Sequence, residues 1–283
     1  MEAKKQDLRL VRLLQAKTEK KEKRLDLSYE KLGDEGVALL ARAKDLSHVE
    51  TLDLSWNGLT DAGIRFLAQS ATLKGLTTLI LDSNKICDKG ARIIADSPNF
   101  PKLENLTLLN NRVSDEGALR LIKSGLLKNL RHLILEQNRV GATRLTKFPD
   151  GTANLSLRLI NLRRNKMTDE TLADWIQTGA FTPLNHLNLG WNRITDKGAA
   201  LLANSPGMSG VEQLFLDSNH IGAAGALAIA NSKNFPALAA LELHDNSFGP
   251  AEERVLLDLR IRSLIKKGLE GSVLNLNGMH LGN

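Results

Sequence analysis

Apolar and polar residues alternate in short stretches that recur at a fixed spacing along the chain. In one copy, the apolar Leu52 and Leu54 flank the polar Asp53, which predicts a short strand with one buried face. The leucine that opens each stretch recurs at eight consecutive intervals of 27 residues, and an interval of 33 then leads to Leu274. The opening positions are Leu25, Leu52, Leu79, Leu106, Leu133, Ile160, Leu187, Leu214 and Leu241. Such a period predicts a solenoid, in which each repeat is stable only against its neighbours.

An asparagine follows each strand at the same place in eight repeats. These residues are Asn57, Asn84, Asn111, Asn138, Asn165, Asn192, Asn219 and Asn246. The chain must turn there, and an amide side chain can bond the backbone groups that the turn leaves without strand partners. We predict a buried asparagine ladder. Glu30 and Met279 replace the asparagine at the two ends, as expected of capping repeats.

The second half of each repeat predicts a helix. Its entry is a capping residue followed by an acid, which suits the helix dipole, as in Thr60-Asp61, Ser114-Asp115, Thr168-Asp169 and Thr195-Asp196. A glycine then recurs on the inward face, at Gly36, Gly63, Gly90, Gly117, Gly198 and Gly225. Since glycine weakens a helix, its recurrence indicates close packing against the strand layer. Ile64, Leu67 and Ala68 supply the apolar stripe.

The predicted fold class is α/β, with one strand and one helix per repeat. Parallel strands stack at about 4.8 Å and helices at about 10 Å, so the solenoid must curve. We expect parallel β-strands on the concave face and α-helices on the convex face. The predicted solenoid domain has a basic capping helix at residues 1–24, nine repeats at 25–249 and a capping repeat at 250–283.

The pattern leucine-x-x-leucine-x-leucine-x-x-asparagine-x-leucine resembles the leucine-rich repeat family. The Thr-Asp-x-Gly helix entry is similar to that of the ribonuclease-inhibitor-like subclass. The repeat texture resembles GALA-type leucine-rich effectors of intracellular bacteria such as Legionella. These resemblances imply a curved horseshoe that binds a partner protein and inhibits it by occlusion, and a bacterial effector.

Composition and charge narrow the function classes. The single cysteine precludes an intramolecular disulfide and fits a reducing compartment. No apolar run reaches the length of a membrane span, so we expect a cytoplasmic location, in the bacterium or in a host. The net charge is +6, and residues 1–24 contribute +5 of it through nine basic and four acidic side chains. This segment is interpreted as a capping helix or as a contact for nucleic acid or acidic lipid.

The sequence offers no constellation for catalysis. His132 and His186 share a strand position two repeats apart, about 10 Å, which is too far for a shared metal. Asp53 and Asp82 lie in adjacent repeats without a third ligand. Cys87 occupies a helix-cap position, so it is a cap or, alternatively, a nucleophile. We predict a non-enzymatic protein with no catalytic residue, cofactor or metal.

The surface of the repeats is more informative. Trp56 and Trp191 stand at a mostly polar position, four residues after the opening leucine, and either bind a partner or pack flat on the neighbouring turn. The concave face mixes apolar and acidic residues, which favours a protein partner with basic groups and disfavours nucleic acid. The predicted partner-binding residues are Tyr29, Asp53, Trp56, Ile80, Asp82, Leu109, His132, Ile134, Glu136, Arg163, Arg164, His186, Trp191, Phe215, Asp217, Glu242, His244 and Asp245.

The predicted function is a protein–protein interaction module that inhibits its partner, an enzyme or a second effector, and is a monomer when free. The alternative is an activator of a small GTPase, implied by similarity to leucine-rich GTPase-activating proteins. Arg144 and Thr171 replace the inward glycine, and Pro149 to Gly151 interrupt one helical half. This irregularity predicts a local bulge, as an imperfect repeat or as a second contact site.

Overall fold

Each repeat contributes one strand, and consecutive strands within a unit pair in parallel. The computed structural model describes residues 11–13, 15–16, 22–43, 46–145, 155–249 and 274–275. The chain divides into unit 1, residues 1–138 with 154–157, and unit 2, residues 139–153 with 158–283. The described helices include none that is both long and apolar enough to cross a membrane.

Unit 1 contains five short strands. They are β1 (Arg24–Asp26), β2 (Thr51–Asp53), β3 (Thr78–Ile80), β4 (Asn105–Thr107) and β5 (His132–Ile134). Opening leucines are direct partners across each pair, as in Leu25 with Leu52 and Leu106 with Leu133. The helices that follow β1 to β4 are α1 (Gly33–Ala41), α2 (Asp61–Gln69), α3 (Asp88–Ala95) and α4 (Asp115–Ile122).

Unit 2 repeats this arrangement. Its strands are β6 (Leu159–Asn161), β7 (His186–Asn188), β8 (Gln213–Phe215), β9 (Ala240–Glu242) and β10 (Leu274–Asn275). Its helices are α5 (Asp169–Gln177), α6 (Asp196–Ala203) and α7 (Ala223–Ala230), with a 3₁₀ helix at Pro206–Met208. Leu274 pairs with Leu241, so the interval of 33 residues preserves the strand register.

The predicted α/β solenoid with parallel strands is therefore confirmed. The opening leucines are almost fully buried between the strands and the helices. One domain for the whole chain stays a prediction. Residues 11–13 and 15–16 are helical, in the segment predicted as a capping helix, and the rest of that helix lies outside the described residues. The C-terminal capping repeat, except β10, and the stretch from Pro149 to Gly151 also lie outside them.

The asparagine ladder is also confirmed. The Asn111 amide donates to the carbonyl oxygens of Leu81 and Leu108, at 3.0 and 3.1 Å, and its Oδ1 accepts from Ile86 N–H at 3.0 Å. One buried side chain thus bonds both its own turn and that of the preceding repeat. The same set of bonds is made by Asn84, Asn138, Asn192 and Asn219.

A second ladder, not predicted from the sequence, joins successive helices. The Asp61 carboxylate accepts from the N–H groups of Cys87 and Gly90, at 2.9 and 3.0 Å, at the entry of the next helix. Asp61 also lies in the first turn of its own helix, as predicted, and Thr60 caps that helix by accepting from Ala62 N–H. A Cβ on Gly90 would lie 2.5 Å from Asp61 Oδ1, so the recurrent glycine leaves space for this carboxylate. Ser114 likewise donates to Asp88 and makes no side-chain cap bond to its own helix.

The irregular part of the chain is held by an ion pair within unit 2. Arg144 donates to the buried Asp174 through two nitrogens, at 2.6 and 2.8 Å. This pairing lowers the pKa of Asp174. Thr171 forms a capping box with Thr168. Trp175, which occupies the place of Leu67 in the apolar helix stripe, is fully buried and stacks on Phe181.

Candidate functional site

Each of the strands β1 to β9 is followed by a residue in the left-handed backbone conformation. We call these residues the left-handed row. Their φ angles lie between 52° and 61° at Tyr29, Trp56, Ser83, Asn110, Gln137, Arg164, Trp191, Ser218 and Asp245. Non-glycine residues rarely adopt this conformation. The neighbouring repeat holds it, since Trp56 N–H donates to the Asp82 carbonyl at 3.0 Å and Trp191 N–H to that of Asp217 at 2.8 Å.

Two aromatic side chains of the row form a stacked pair in unit 1. The rings of Tyr29 and Trp56 are 5.4 Å apart and inclined by 12°. Tyr29 nevertheless remains 66% exposed and Trp56 51% exposed. Trp56 thus packs on its neighbour, as one interpretation of the sequence predicted, and still presents a large apolar surface.

The strand face beside this pair is acidic and partly apolar. The partly buried Asp53 accepts from Ser55 at 2.7 Å and from Arg24 at 3.4 Å. Burial raises the pKa of Asp82, the Leu109 N–H bond offsets part of this, and the charge of Asp53 adds to it. The remaining candidates in unit 1 line this face at intermediate burial, with only His132 exposed: Ile80, Leu109, His132, Ile134 and Glu136.

Trp191 is the third exposed aromatic residue of the row, and it lies in unit 2. Two guanidinium groups approach its ring: the Cζ atoms of Arg164 and Arg163 lie 4.8 and 5.9 Å from the ring centroid. Trp191 is 47% exposed. Cation–π contact of this kind limits the motion of the indole while it leaves much of the ring accessible.

Arg163 also reaches a fully buried carboxylate. Its Nη1 atom donates to Asp217 Oδ1 at 2.8 Å and lies 2.7 Å from Oδ2. The two residues are two repeats apart, and Gly190 lies between them in the same column of the strand face. A Cβ on Gly190 would lie 2.5 Å from Asp217 Oδ1 and 2.6 Å from Arg163 Nη1. The missing side chain is therefore what allows the ion pair.

A histidine completes this cluster. His244 Nε2 lies 3.6 Å from Asp217 Oδ2 and 4.0 Å from Asp245 Oδ2, and its Nδ1 lies 4.0 Å from Glu242 Oε2. In the neighbouring columns, the His186 ring packs on Phe215 with centroids 4.8 Å apart. Unit 2 thus groups an ionic cluster with two aromatic contacts on its strand face.

Comparison with known proteins supports this architecture. The family model described as "Leucine Rich repeat" matches residues 45–68 and 182–203. The structure of internalin C2 from Listeria monocytogenes is similar with a TM-score of 0.50 and 21% identity, over 76% of this chain and 84% of that one. A second internalin from Listeria monocytogenes gives a TM-score of 0.36 and 22% identity, over 84% and 77% of the two chains. No curated protein matches the sequence.

The chain has the leucine-rich repeat fold.

The single cysteine of this leucine-rich repeat fold occupies a helix-cap position. The Cys87 thiol donates to Asp61 Oδ2 at 2.6 Å. Burial, the hydrogen bond to Asp61 and the nearby acids raise the pKa of the thiol. A raised pKa disfavours the thiolate that a nucleophile requires. The cap interpretation is therefore the better supported of the two.

The leucine-rich repeat architecture groups the predicted partner-binding residues into two sets. In unit 1, Tyr29 and Trp56 adjoin an acidic face with Asp53 and Asp82. In unit 2, contacts link seven of the candidates into the ionic cluster and its aromatic border: Arg163, Arg164, Trp191, Asp217, Glu242, His244 and Asp245. The sequence prediction named these residues individually and overlooked their association. The signal was available, since Arg163, Gly190, Asp217 and His244 occupy one column of the repeats.

Proposed function

We propose that this protein of leucine-rich repeat fold is a non-enzymatic module that binds another protein through its strand face and left-handed row. The observation that carries the proposal is the stacked pair of Tyr29 and Trp56, which stay more than half exposed. Large aromatic side chains dominate interface energies because they bury much area and lose few rotamers. The paired rings are fixed before any partner binds, which lowers the entropic cost of association.

The chemistry of the unit 1 face favours a partner with basic and apolar groups. Asp53 and Asp82 supply negative charge beside the aromatic pair, while Ile80 and Leu109 supply apolar contacts at intermediate burial. The raised pKa of Asp82 indicates a carboxylate that lacks a full complement of compensating partners. A lysine or arginine of a bound protein would supply one, and a nucleic-acid phosphate would be repelled.

Substitution within the left-handed row provides a direct test. Asn110 adopts φ 52° in this row, so asparagine fits the backbone there. We would identify partners by cross-linking and mass spectrometry, then measure Kd with purified components for Tyr29→Asn, Trp56→Asn and Trp191→Asn. The matched control is Ser83→Asn. We expect the Tyr29 and Trp56 variants to bind at least about tenfold more weakly and the control to bind normally. Unchanged affinity in all three aromatic variants would remove the left-handed row from the interface.

We further propose that binding inhibits the partner by covering its active site, and that the protein acts as a monomeric bacterial effector in the cytoplasm. The resemblance to ribonuclease-inhibitor-like and GALA-type repeats supports inhibition and the effector role, and the single cysteine fits a reducing compartment. Titration of an enzymatic partner should abolish its turnover at one equivalent. Undiminished activity in the saturated complex would reject occlusion. Activation of a small GTPase has only family resemblance in its favour, and a GTP-hydrolysis assay distinguishes it.

A further inference from the structure

We propose that Asp217, Glu242 and His244 bind one divalent transition-metal ion, with zinc as the best match, on the strand face of unit 2. This 217–244 site lies on the proposed protein-binding face, but metal binding there does not depend on protein binding. One donor atom from each of the three residues lies within 4.8 Å of the other two. Carboxylate oxygen and imidazole nitrogen are ligands that zinc accepts at about 2.0–2.2 Å, with water in a fourth position.

The strand geometry explains why these three side chains converge. Glu242 and His244 are two residues apart on one extended segment, so both point to the same face. Asp217 lies on the preceding repeat, where β8 pairs with β9 in parallel register. Neighbouring strands are about 4.8 Å apart, which brings the third donor within reach of the other two. The three donor atoms, one from each residue, lie within 4.8 Å of one another, so small side-chain rotations would bring them around one ion.

Independent support comes from Asp217 Oδ2, a buried carboxylate oxygen that accepts no hydrogen bond of good geometry. Asp217 is fully buried, and its Oδ2 atom has no hydrogen-bond partner of acceptable geometry, although Arg163 Nη1 lies 2.7 Å away. That nitrogen instead makes its aligned bond to Oδ1, at 2.8 Å. His244 Nδ1 is likewise buried and without a hydrogen-bond partner. Burial of such atoms costs free energy unless a ligand compensates it.

Arg163 fits the role of an outer partner rather than that of a competitor. It donates to Oδ1 of Asp217 and lies 2.7 Å from Oδ2, and Oδ2 is also 3.6 Å from His244 Nε2. Metal-ligating carboxylates are commonly oriented by such a second hydrogen bond. Gly190 makes this arrangement sterically accessible, because any larger residue would collide with both groups.

The charges of the surrounding side chains also favour a divalent cation. Three carboxylates surround the imidazole, from Asp217, Glu242 and Asp245. Arg163 is the one guanidinium that contacts them among the described residues. Three carboxylates and one guanidinium leave two formal negative charges beside a buried oxygen. One divalent ion would neutralise them.

The test uses the full chain, freed of any affinity tag and treated with chelator. Zinc binding is measured by titration calorimetry, and cobalt substitution by visible absorption, which reports nitrogen and oxygen ligation directly. We expect one equivalent of zinc per chain. His244→Ala and Glu242→Gln should each bind zinc at least about tenfold more weakly. His220→Ala, an exposed histidine outside the cluster, and Cys87→Ser should bind as the unsubstituted protein does.

The outcomes separate clearly. Absence of one-to-one binding by the unsubstituted chain overturns the proposal, and so does equal affinity in the His244 and Glu242 variants. Circular dichroism verifies that each variant is folded. Glu242 is only partly buried, so Glu242→Gln decides the question if His244→Ala proves unstable. Equal weakening by His220→Ala would assign the metal to the exposed histidines and reject the 217–244 site.

Discussion

The Cys87 thiol donates a hydrogen bond to Oδ2 of Asp61 across the boundary between two repeats, at 2.6 Å. Hydroxyl groups make the same bond elsewhere: Thr60 donates to Asp34 and Ser114 to Asp88, both at 2.6 Å. The thiol thus occupies a site for which a hydroxyl is equally suited. Its conformational role explains its presence without any reactivity.

Cys87→Ser should therefore leave the free energy of unfolding nearly unchanged, while Cys87→Ala should lower it by about 1 kcal/mol, the value of one hydrogen bond to a carboxylate. Urea denaturation monitored by circular dichroism measures both. A serine variant as destabilised as the alanine variant would show that the sulfur contributes by its size and not by its hydrogen bond.

Gly190→Ala should disrupt the ion pair between Arg163 and Asp217. The added Cβ would lie within 2.6 Å of both partners, so one must move and leave the buried carboxylate without compensation. We expect a loss of roughly 1–3 kcal/mol in the free energy of unfolding. Gly125→Ala is the matched control, since a Cβ there meets nothing within 4 Å. A Gly190 variant as stable as this control contradicts the steric argument.

Asn111→Ala should cost more than Asn110→Ala, although the two residues are adjacent. Asn111 is buried and bonds the Leu81 carbonyl and the Ile86 N–H of the preceding repeat. Its removal leaves buried backbone groups unsatisfied, at roughly 2–4 kcal/mol in total. The Asn110 side chain donates to Ser83 Oγ at 3.1 Å and is partly exposed. Chemical denaturation of both variants gives the comparison, and equal losses would reject the ladder as a stabilising element.

The pair of Arg144 and Asp174 should make stability depend on pH in acid. Since the bond from Arg144 lowers the pKa of Asp174 from its ordinary 3.8, the ionised carboxylate stabilises the folded chain above that pH. The contribution disappears as the pH falls through the lowered pKa. Asp174→Asn should therefore be less stable at about pH 6, by about 1–2 kcal/mol, and the difference should shrink towards about pH 2.

The control for this prediction is Asp96→Asn, which breaks an exposed pair with Arg120. Surface pairs contribute little, so its melting temperature should follow that of the unsubstituted protein at every pH. A difference between the Asp174 variant and the unsubstituted chain that stays constant across this pH range would contradict the ionic origin.

The repetitive part of the structure was predictable because each feature recurs at one period. The leucines, the asparagine ladder and the burial of Trp175 follow from position alone. The hydrogen-bond partners of Asp61 were not predictable, because a first-turn acid suits the dipole of its own helix. Only the stacking of repeats in three dimensions places the entry of the next helix beside it. The signal was that Asp34, Asp61 and Asp88 share the 27-residue spacing of the glycines.

The candidate sites were less predictable, because they depend on departures from the repeat. The association of Arg163, Asp217 and His244 arises from differences between repeats within one column, and a search for recurring residues discards such differences. The left-handed backbone conformation could not be predicted from Tyr29 and Trp56, because tyrosine and tryptophan have no preference for it. Asn110 and Asp245 were the available signal, since asparagine and aspartate adopt it more readily than most residues.

The left-handed row has a consequence for how such a chain can diversify. Seven residue types adopt one backbone geometry in this row, with φ between 52° and 61°: tyrosine, tryptophan, serine, asparagine, glutamine, arginine and aspartate. The neighbouring repeat imposes this geometry through main-chain hydrogen bonds. The backbone conformation therefore does not depend on which side chain is present. Each position of the left-handed row can therefore exchange its side chain without a change of backbone. A single substitution there can alter binding specificity while the fold is retained.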